Sequence, residues 1–401
     1  MTSPHEMKKN LDIIISQDFF PKIGGAHKWL YEVYKRWPNG VLALVQDYSQ
    51  DIRLANGQVI FDLKNHGLLT IERHDLLIED INFFNFFFIR KIFNTFIELK
   101  KHIKSDVAKI HCLRSFPEGI PAIFIKKIFG NKIKVITYAH GEEILTAQTS
   151  KQLSFIARWV YQNSDLVIVN SKSTQNLLES FSLSGPVEII HPGVDTKSFT
   201  VEENSLRNFR AKFKWSDDTI ILCSMARMEP RKNHLKVIES INALRKEGFN
   251  VAYIIGSDGA EKESLVKLVE DLNLDEFVKF TGYVSEEDRI LTFLISDIHV
   301  MPSVQVGPMI EGYGIVFIEA AAAGIPSISG NTGGQREALL DGQTGLVIDG
   351  LNYIELKNAI QYLIENKSVR LGMGMRGKVW ASENDWEVIA KRTYEIITHK
   401  T

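Results

Sequence analysis

Two carboxylates eight positions apart, Glu311 and Glu319, bracket a pair of glycines in the segment EGYGIVFIE, which runs on into Ala-Ala-Ala-Ala-Gly-Ile-Pro. Gly312 and Gly314 open the chain just before a helix expected to start near Ile315. A helix start presents free backbone N–H groups and the positive end of the helix dipole, which suits a diphosphate. With Glu311 in the loop and Glu319 on the helix, the two carboxylates can hydrogen-bond different hydroxyls of one extended ligand. Glu319 lies inside an apolar, alanine-rich run, where a glutamate needs a partner.

A second constellation is Arg227-Met228-Glu229-Pro230-Arg231-Lys232-Asn233, directly after an apolar run. Arg227 leaves the expected strand end, Pro230 stiffens the turn, and Lys232 stands at the mouth of the next helix. Two cations at such a junction can clamp a pyrophosphate and neutralise charge on a departing nucleotide. They can take the role a divalent metal plays elsewhere, and the sequence contains no Asp-x-Asp. Two weaker signals complete the set. Gly24 and Gly25, in Pro21-Lys22-Ile23-Gly24-Gly25-Ala26, allow close backbone approach to a ligand, although a simple tight turn uses the same residues. His140, in His140-Gly141-Glu142, follows another strand-like run and reads as a structural or a site histidine.

These residues need strands and helices to hold them. Short Ile, Val and Leu runs at 11–16, 41–46, 107–113, 133–138 and 165–169 read as strands buried on both faces. Helical spacing occupies 25–36, 117–128, 151–163 and 172–181. The rhythm repeats, with strands expected at 219–225, 251–256, 277–281, 297–301, 325–329 and 345–348 and helices at 233–247, 260–272, 286–294, 315–323, 333–340 and 352–366. Alternation of this kind means parallel α/β sheets, and two sets divided near His191-Pro192-Gly193-Val194-Asp195 mean two doubly wound Rossmann-like domains facing across a cleft. Their expected bounds are 1–195 and 196–383, followed by a helical segment at 384–401. Open parallel sheets bind ligands beyond the carboxyl ends of their strands. The residues singled out above all follow strands.

Composition limits the alternatives. With 401 residues, 44% hydrophobic and 24% charged, the chain is too long for one ordinary core and is neither disordered nor fibrous. A net charge of -2 gives no overall field for a polyanion. Locally, residues 89–134 carry 11 Lys and Arg against 3 Asp and Glu, after the run Phe83, Phe84, Phe86, Phe87, Phe88. Those phenylalanines read either as the core stripe of one helix or, with the basic residues, as a surface that rests on anionic lipid. Cys112 and Cys223 sit in apolar runs, far apart, and read as reduced core thiols. No segment has the length or pattern of a signal peptide or a membrane span, so a soluble, cytoplasmic protein is expected.

Taken together, the Glu-x7-Glu segment, the Arg-x4-Lys turn, the early Gly-Gly loop and the His-Gly resemble the family 4 glycosyltransferases, across the whole chain and in the same order. The look is closest to bacterial mannosyl- and glucosyltransferases acting on lipid or polysaccharide acceptors. The resemblance implies the two-Rossmann fold called type B and a retaining, nucleotide-sugar-dependent transfer. Arg227 and Lys232 would then bind the donor diphosphate with backbone N–H groups from Gly314 through Ile315 to Val316. Glu319 would bind the ribose, Glu311 the sugar hydroxyls, and His140 would sit beside the sugar's hydroxymethyl group. Gly24 and Gly25 would line the phosphate side, Tyr283 and Val284 would lie near the base, and the last helix would cross back onto the first domain. One departure is Gly307-Pro308-Met309-Ile310, longer than the family's compact Ser-x-x-Glu-Gly form.

The implied reaction moves a hexose from GDP-mannose or a UDP-hexose to a glycan or lipid-linked hydroxyl, with no cofactor or metal and with attack from the leaving-group face. No side chain reads as a nucleophile on the opposite face. Two other classes share the features: a nucleotide-sugar 2-epimerase, for which only His140 reads as an acid or base, and a non-catalytic nucleotide-sugar-binding protein. Contact with an anionic membrane through residues 83–134 is compatible with transfer, and a lipid-linked acceptor would unite the two; no nucleic-acid partner is indicated.

Overall fold

A computed structural model describes residues 11–22, 24–76, 78, 85–103 and 108–401. The chain forms two compact units: Met1–Pro192 together with Trp386–Thr401, and Gly193–Asp385.

The first unit is built on seven strands, β1 (Leu11–Ser16), β2 (Val41–Gln46), β3 (Leu69–His74), β4 (Ala108–Cys112), β5 (Ile133–Ala139), β6 (Leu166–Val169) and β7 (Val187–Ile189), in the order β3-β2-β1-β4-β5-β6-β7. Every pairing is parallel. Successive side chains of a strand point to opposite faces, and β1 shows the consequence. Ile13 and Ile15 enter one core layer, with helices Phe86–His102, Gly119–Phe129 and Lys151–Asn163. Ile14 enters the other, with Trp29 and Leu30 of helix Gly25–Tyr34 and Trp386 and Ile389 of helix Trp386–Lys400. A strand covered on both sides has no room for polar alternation, hence its continuous apolar run.

The second unit repeats the plan with β8 (Ile220–Met225), β9 (Val251–Gly256), β10 (Val278–Gly282), β11 (Ile298–Met301), β12 (Ser327–Gly330) and β13 (Gly345–Ile348), ordered β10-β9-β8-β11-β12-β13 and parallel throughout. In each sheet the strand order reverses once, between β1 and β4 and between β8 and β11. At such a switch point the loops beyond the carboxyl ends splay to opposite faces and leave a crevice for ligand.

Several elements differ from the sequence expectation. β3 (LTIERH) and β7 carry no continuous apolar run because both are edge strands and most of their residues are only half-buried. The expected helix at 333–340 is a short 3-10 segment, Gly333–Glu337, that begins with a positive-φ glycine. Of the phenylalanine run, Phe83 and Phe84 lie outside the described residues. Phe88 is buried, whereas Phe86 and Phe87 point outward from their helix, so the stripe is only partly core. Cys112 and Cys223 are free and buried. Among the described residues, no helix is long and apolar enough to cross a membrane.

Candidate active site

The loop after β8 leaves the sheet at the second unit's switch point and is fixed at several places. Met228 N–H donates to the Asp258 carbonyl at 3.0 Å, and the Met228 carbonyl accepts from Glu261 N–H at 3.0 Å. A side chain at Gly259 would overlap the Met228 backbone, so this close approach requires glycine. The turn Pro230–Lys232 ends at Asn233 in the left-handed region, φ +62°, where Asn is tolerated. Its side-chain amide donates to the Gly350 carbonyl at 2.7 Å.

That turn buries Arg231 and Lys232 and aims both at Glu311. Arg231 Nη1 lies 2.7 Å from Glu311 Oε2, its Nε donates to Glu229 at 3.0 Å, and Lys232 Nζ pairs with the same Glu311 oxygen. Burial alone would raise the Glu311 carboxyl, but the two cations outweigh it and hold it at about 2. At Lys232 the balance runs the other way: burial lowers its ammonium below the usual lysine range despite Glu311. The neighbouring Arg231 guanidinium lowers the Lys232 ammonium further. The two cations therefore favour the ionised carboxylate of Glu311. Arg227 does not join this cluster; its side chain is 56% exposed and pairs with Glu229 at 2.7 Å.

Glu311 is positioned from its own side as well. The stretch 307–310 is taken up by a tight turn in which Val306 and Met309 exchange backbone hydrogen bonds at 3.0 Å, with Gly307 at φ +57°. The Glu311 carbonyl accepts from Gly334 N–H at 2.9 Å. Gly312 follows at a bend, and Gly314, at φ +90°, caps helix Ile315–Ala323. Phe317 N–H turns back to the Gly314 carbonyl at 3.1 Å, so the Ile315 and Val316 N–H groups have no acceptor within the helix. One turn on, Glu319 is buried and paired with Arg289 of helix Glu286–Ile295. Val284 is half-buried against the core, and Tyr283, just after β10, is 65% exposed.

The first unit gathers its candidates at the carboxyl ends of β1, β4 and β5. Gly24 precedes helix Gly25–Tyr34, and a Cβ there would stand 2.7 Å from His27 Cε1. Asp18 is held between Arg114 Nη1 at 2.7 Å and Lys22 Nζ. His140 follows β5; its Nε2 is 2.9 Å from the Leu113 carbonyl, so that nitrogen carries the proton. Its backbone N–H donates to Glu143 at 2.7 Å, and burial keeps the imidazole neutral.

Comparison with known proteins bears on what these sites do. Residues 206–380 match the model of glycosyl transferases group 1, and residues 61–198 match that of Glycosyltransferase Family 4. The chain is a glycosyltransferase. It is 29% identical over 269 residues to a GDP-mannose-dependent alpha-(1-6)-phosphatidylinositol monomannoside mannosyltransferase of Mycolicibacterium smegmatis, covering 66% of this chain and 70% of that one. It is also 29% identical over 279 residues to the Escherichia coli O-antigen biosynthesis glycosyltransferase WclY, covering 67% and 73%. In fold it matches Anabaena HepE in complex with UDP, at TM-score 0.78 and 18% identity over 98% of this chain and 100% of the other. The two parallel-sheet units are thus the type B glycosyltransferase architecture.

Three residues of the transferase escaped the sequence reading. Arg231 sits beside Lys232 in a basic pair, and nothing in the residue types preferred it. Arg289 is separated from Glu319 by 30 positions, and only its place on an amphipathic helix hinted at inward contact. Gln335 is wholly buried and ties Ser303 and Gly330 together, accepting from both backbone N–H groups at 3.1 Å.

In the transferase's first unit, Glu118 is buried with Oε1 accepting from Gln17 N–H at 3.0 Å. Burial pushes its carboxyl up to about 7, opposed by Arg114. The folded value exceeds the unfolded one, so folding is penalised as pH rises through the window between about 4.5 and 7. Glu118→Gln keeps an acceptor and removes the titration. Its unfolding free energy, measured in urea at pH 5 and pH 8, should lose a pH-dependent drop on the order of 2–3 kcal/mol that the parent shows. Equal slopes in both proteins would refute the assignment.

Proposed function

We propose that this transferase moves a hexose from a nucleotide-diphosphate sugar to a hydroxyl of a glycan or a lipid-linked acceptor, with retention at the anomeric carbon and without a metal ion. The observation that carries the reading is the clasp of Glu311 by Arg231 and Lys232, four residues ahead of the helix starting at Ile315. Burying two cations and a carboxylate costs solvation that a well-packed apolar cluster would not. Such polarity, prepared before the ligand arrives, suits charge that develops during reaction.

In this reading Lys232, Arg231 and the Ile315 and Val316 N–H groups receive the donor diphosphate, and the exposed Arg227 reaches it from the rim. Glu319 takes the ribose hydroxyls, Glu311 the hydroxyls of the transferred sugar, and Tyr283 and Val284 flank the base. Gly24, Gly25 and the neutral His140 contribute from the first unit, His140 at the sugar's hydroxymethyl group. The bond from the anomeric carbon to the phosphate oxygen breaks, and the acceptor oxygen forms its bond on the same face. The acceptor proton passes to the departing phosphate oxygen. Cytoplasmic location follows from the donor, which is a soluble nucleotide. GDP-mannose is the favoured donor, because the mycobacterial relatives are named for it; a UDP-hexose is the other, because HepE is described with UDP and UDP-glucose. A lipid-linked acceptor would bring the chain to a membrane, for which the 83–134 region is the candidate.

Thermal unfolding with GDP, UDP and ADP, and with GDP-mannose and UDP-glucose, separates these donors. A nucleotide at 100 times its dissociation constant adds roughly 2.7 kcal/mol to stability. Stabilisation by one nucleotide family, undiminished without Mg²⁺ and lost in Glu319→Ala, is the expected result. No response to any nucleotide would refute the donor site, and a response that requires Mg²⁺ would refute metal independence.

A further inference from the structure

Three helices cover one face of the first sheet: Phe86–His102, Gly119–Phe129 and Lys151–Asn163. Their inner sides supply the core layer. Their outer sides carry side chains that a water-facing helix does not need. Phe86 is 75% exposed, Phe87 65% and Phe93 59%; Phe124 and Ile128 on the second helix and Phe155 on the third are also exposed. Single exposed apolar residues are ordinary, but a contiguous group of them marks an interaction surface. Continuity is visible where the second and third helices meet: the Phe124 ring lies 5.4 Å from that of Trp159, and Lys127 Nζ stands 5.2 Å over the same indole.

Charge on the three helices is predominantly positive. The three helices contain a single carboxylate, Glu98, and it is paired with Lys101 at 2.7 Å. Lys91 and Lys126 are drawn aside to Asp75 and Asp165. Arg90, Lys100, Lys127, Lys151 and Arg158 remain exposed, and no ion pair is recorded for any of them among the described residues. A second copy of the chain would set two such basic faces against each other, which charge opposes. A purely electrostatic polyanion partner would leave the phenylalanines in water. Exposed aromatics among basic residues match the boundary between anionic headgroups and acyl chains.

We propose that this three-helix face docks the protein on an anionic lipid bilayer. The phenylalanines enter the headgroup–acyl boundary and the basic side chains lie against the lipid phosphates. The surface includes the Lys151–Asn163 helix, which lies outside the 83–134 stretch singled out in the sequence. It goes beyond the transfer reaction and does not depend on it.

Flotation of the full chain with phosphatidylcholine vesicles, with and without phosphatidylglycerol, tests the proposal. The expected result is binding only when phosphatidylglycerol is present, weakening as salt is added. Each basic residue at such a surface is worth about fivefold in partitioning, so Arg90→Gln/Lys127→Gln/Arg158→Gln should bind about a hundredfold less well. Phe86→Ser/Phe87→Ser/Phe124→Ser should fall to the level seen with phosphatidylcholine alone. The nucleotide-dependent thermal shift, measured on the same proteins, certifies their fold and reports on the donor site separately. A parent that floats without any nucleotide response would sink the transfer reading alone. A parent that does not float on phosphatidylglycerol, or a phenylalanine variant that floats equally well, would overturn the docking face. So would a concentration-dependent dimer, seen by sedimentation, that the phenylalanine substitutions abolish.

Discussion

Lys232→Ala should lower turnover by roughly 10²–10³, the scale for removing one preorganised electrostatic donor from a site where charge develops. Lys232 is buried, paired with Glu311, and carried on the short turn Pro230–Lys232. The defect should sit in kcat more than in KM, because the departing diphosphate carries more charge in the transition state than in the bound donor. The exposed Arg227 provides the internal contrast: Arg227→Ala removes an exposed side chain paired with Glu229 and should cost less than Lys232→Ala. Initial rates with saturating donor decide the matter. Parental turnover in Lys232→Ala, or a larger loss in Arg227→Ala, would show that the charge is met elsewhere.

Gly333→Ala should damage the same site without touching any charged group. Gly333 has φ +67°, a conformation that costs an L-residue about 1–2 kcal/mol, and a Cβ there would overlap the Glu311 carbonyl oxygen. Relief requires the 310–311 backbone to move, and Glu311 swings away from Arg231 and Lys232. Since misplacement of about 1 Å can cost on the order of 10²-fold, turnover should drop at least tenfold while the unfolding midpoint falls modestly. Gly342→Ala makes a suitable control, because its φ of +69° carries the same strain with open space around the added methyl. If both variants lose activity equally, strain rather than displacement of Glu311 is responsible.

Residue types and spacing made the main features of the fold legible. Strands buried on both faces must be apolar throughout, so β1, β2, β5, β8 and β9 announced themselves. The edge strands β3 and β7 did not, since a strand with one neighbour has no such requirement. The helix at Ile315–Ala323 was legible from two glycines followed by an apolar run. The 333–340 segment misled because its composition is helical while its opening glycines serve a loop contact.

For the site, the sequence by itself determined the two-unit α/β class, the loops that follow strands, and the types Glu311, Glu319 and Lys232 within them. Local chemistry dictates these: strand periodicity, glycine at a helix start, a glutamate stranded in an apolar run. Only the tertiary structure decided the pairings. Glu311 meets Arg231 and Lys232 across about 80 positions of chain, Glu319 meets Arg289 across 30, and Gly333 packs against the Glu311 backbone. Nothing in local sequence encodes that Arg231 and Lys232 turn inward while Arg227 stays outside. That choice follows from the direction of a turn that Asn233 fixes through the Gly350 carbonyl, more than a hundred residues away.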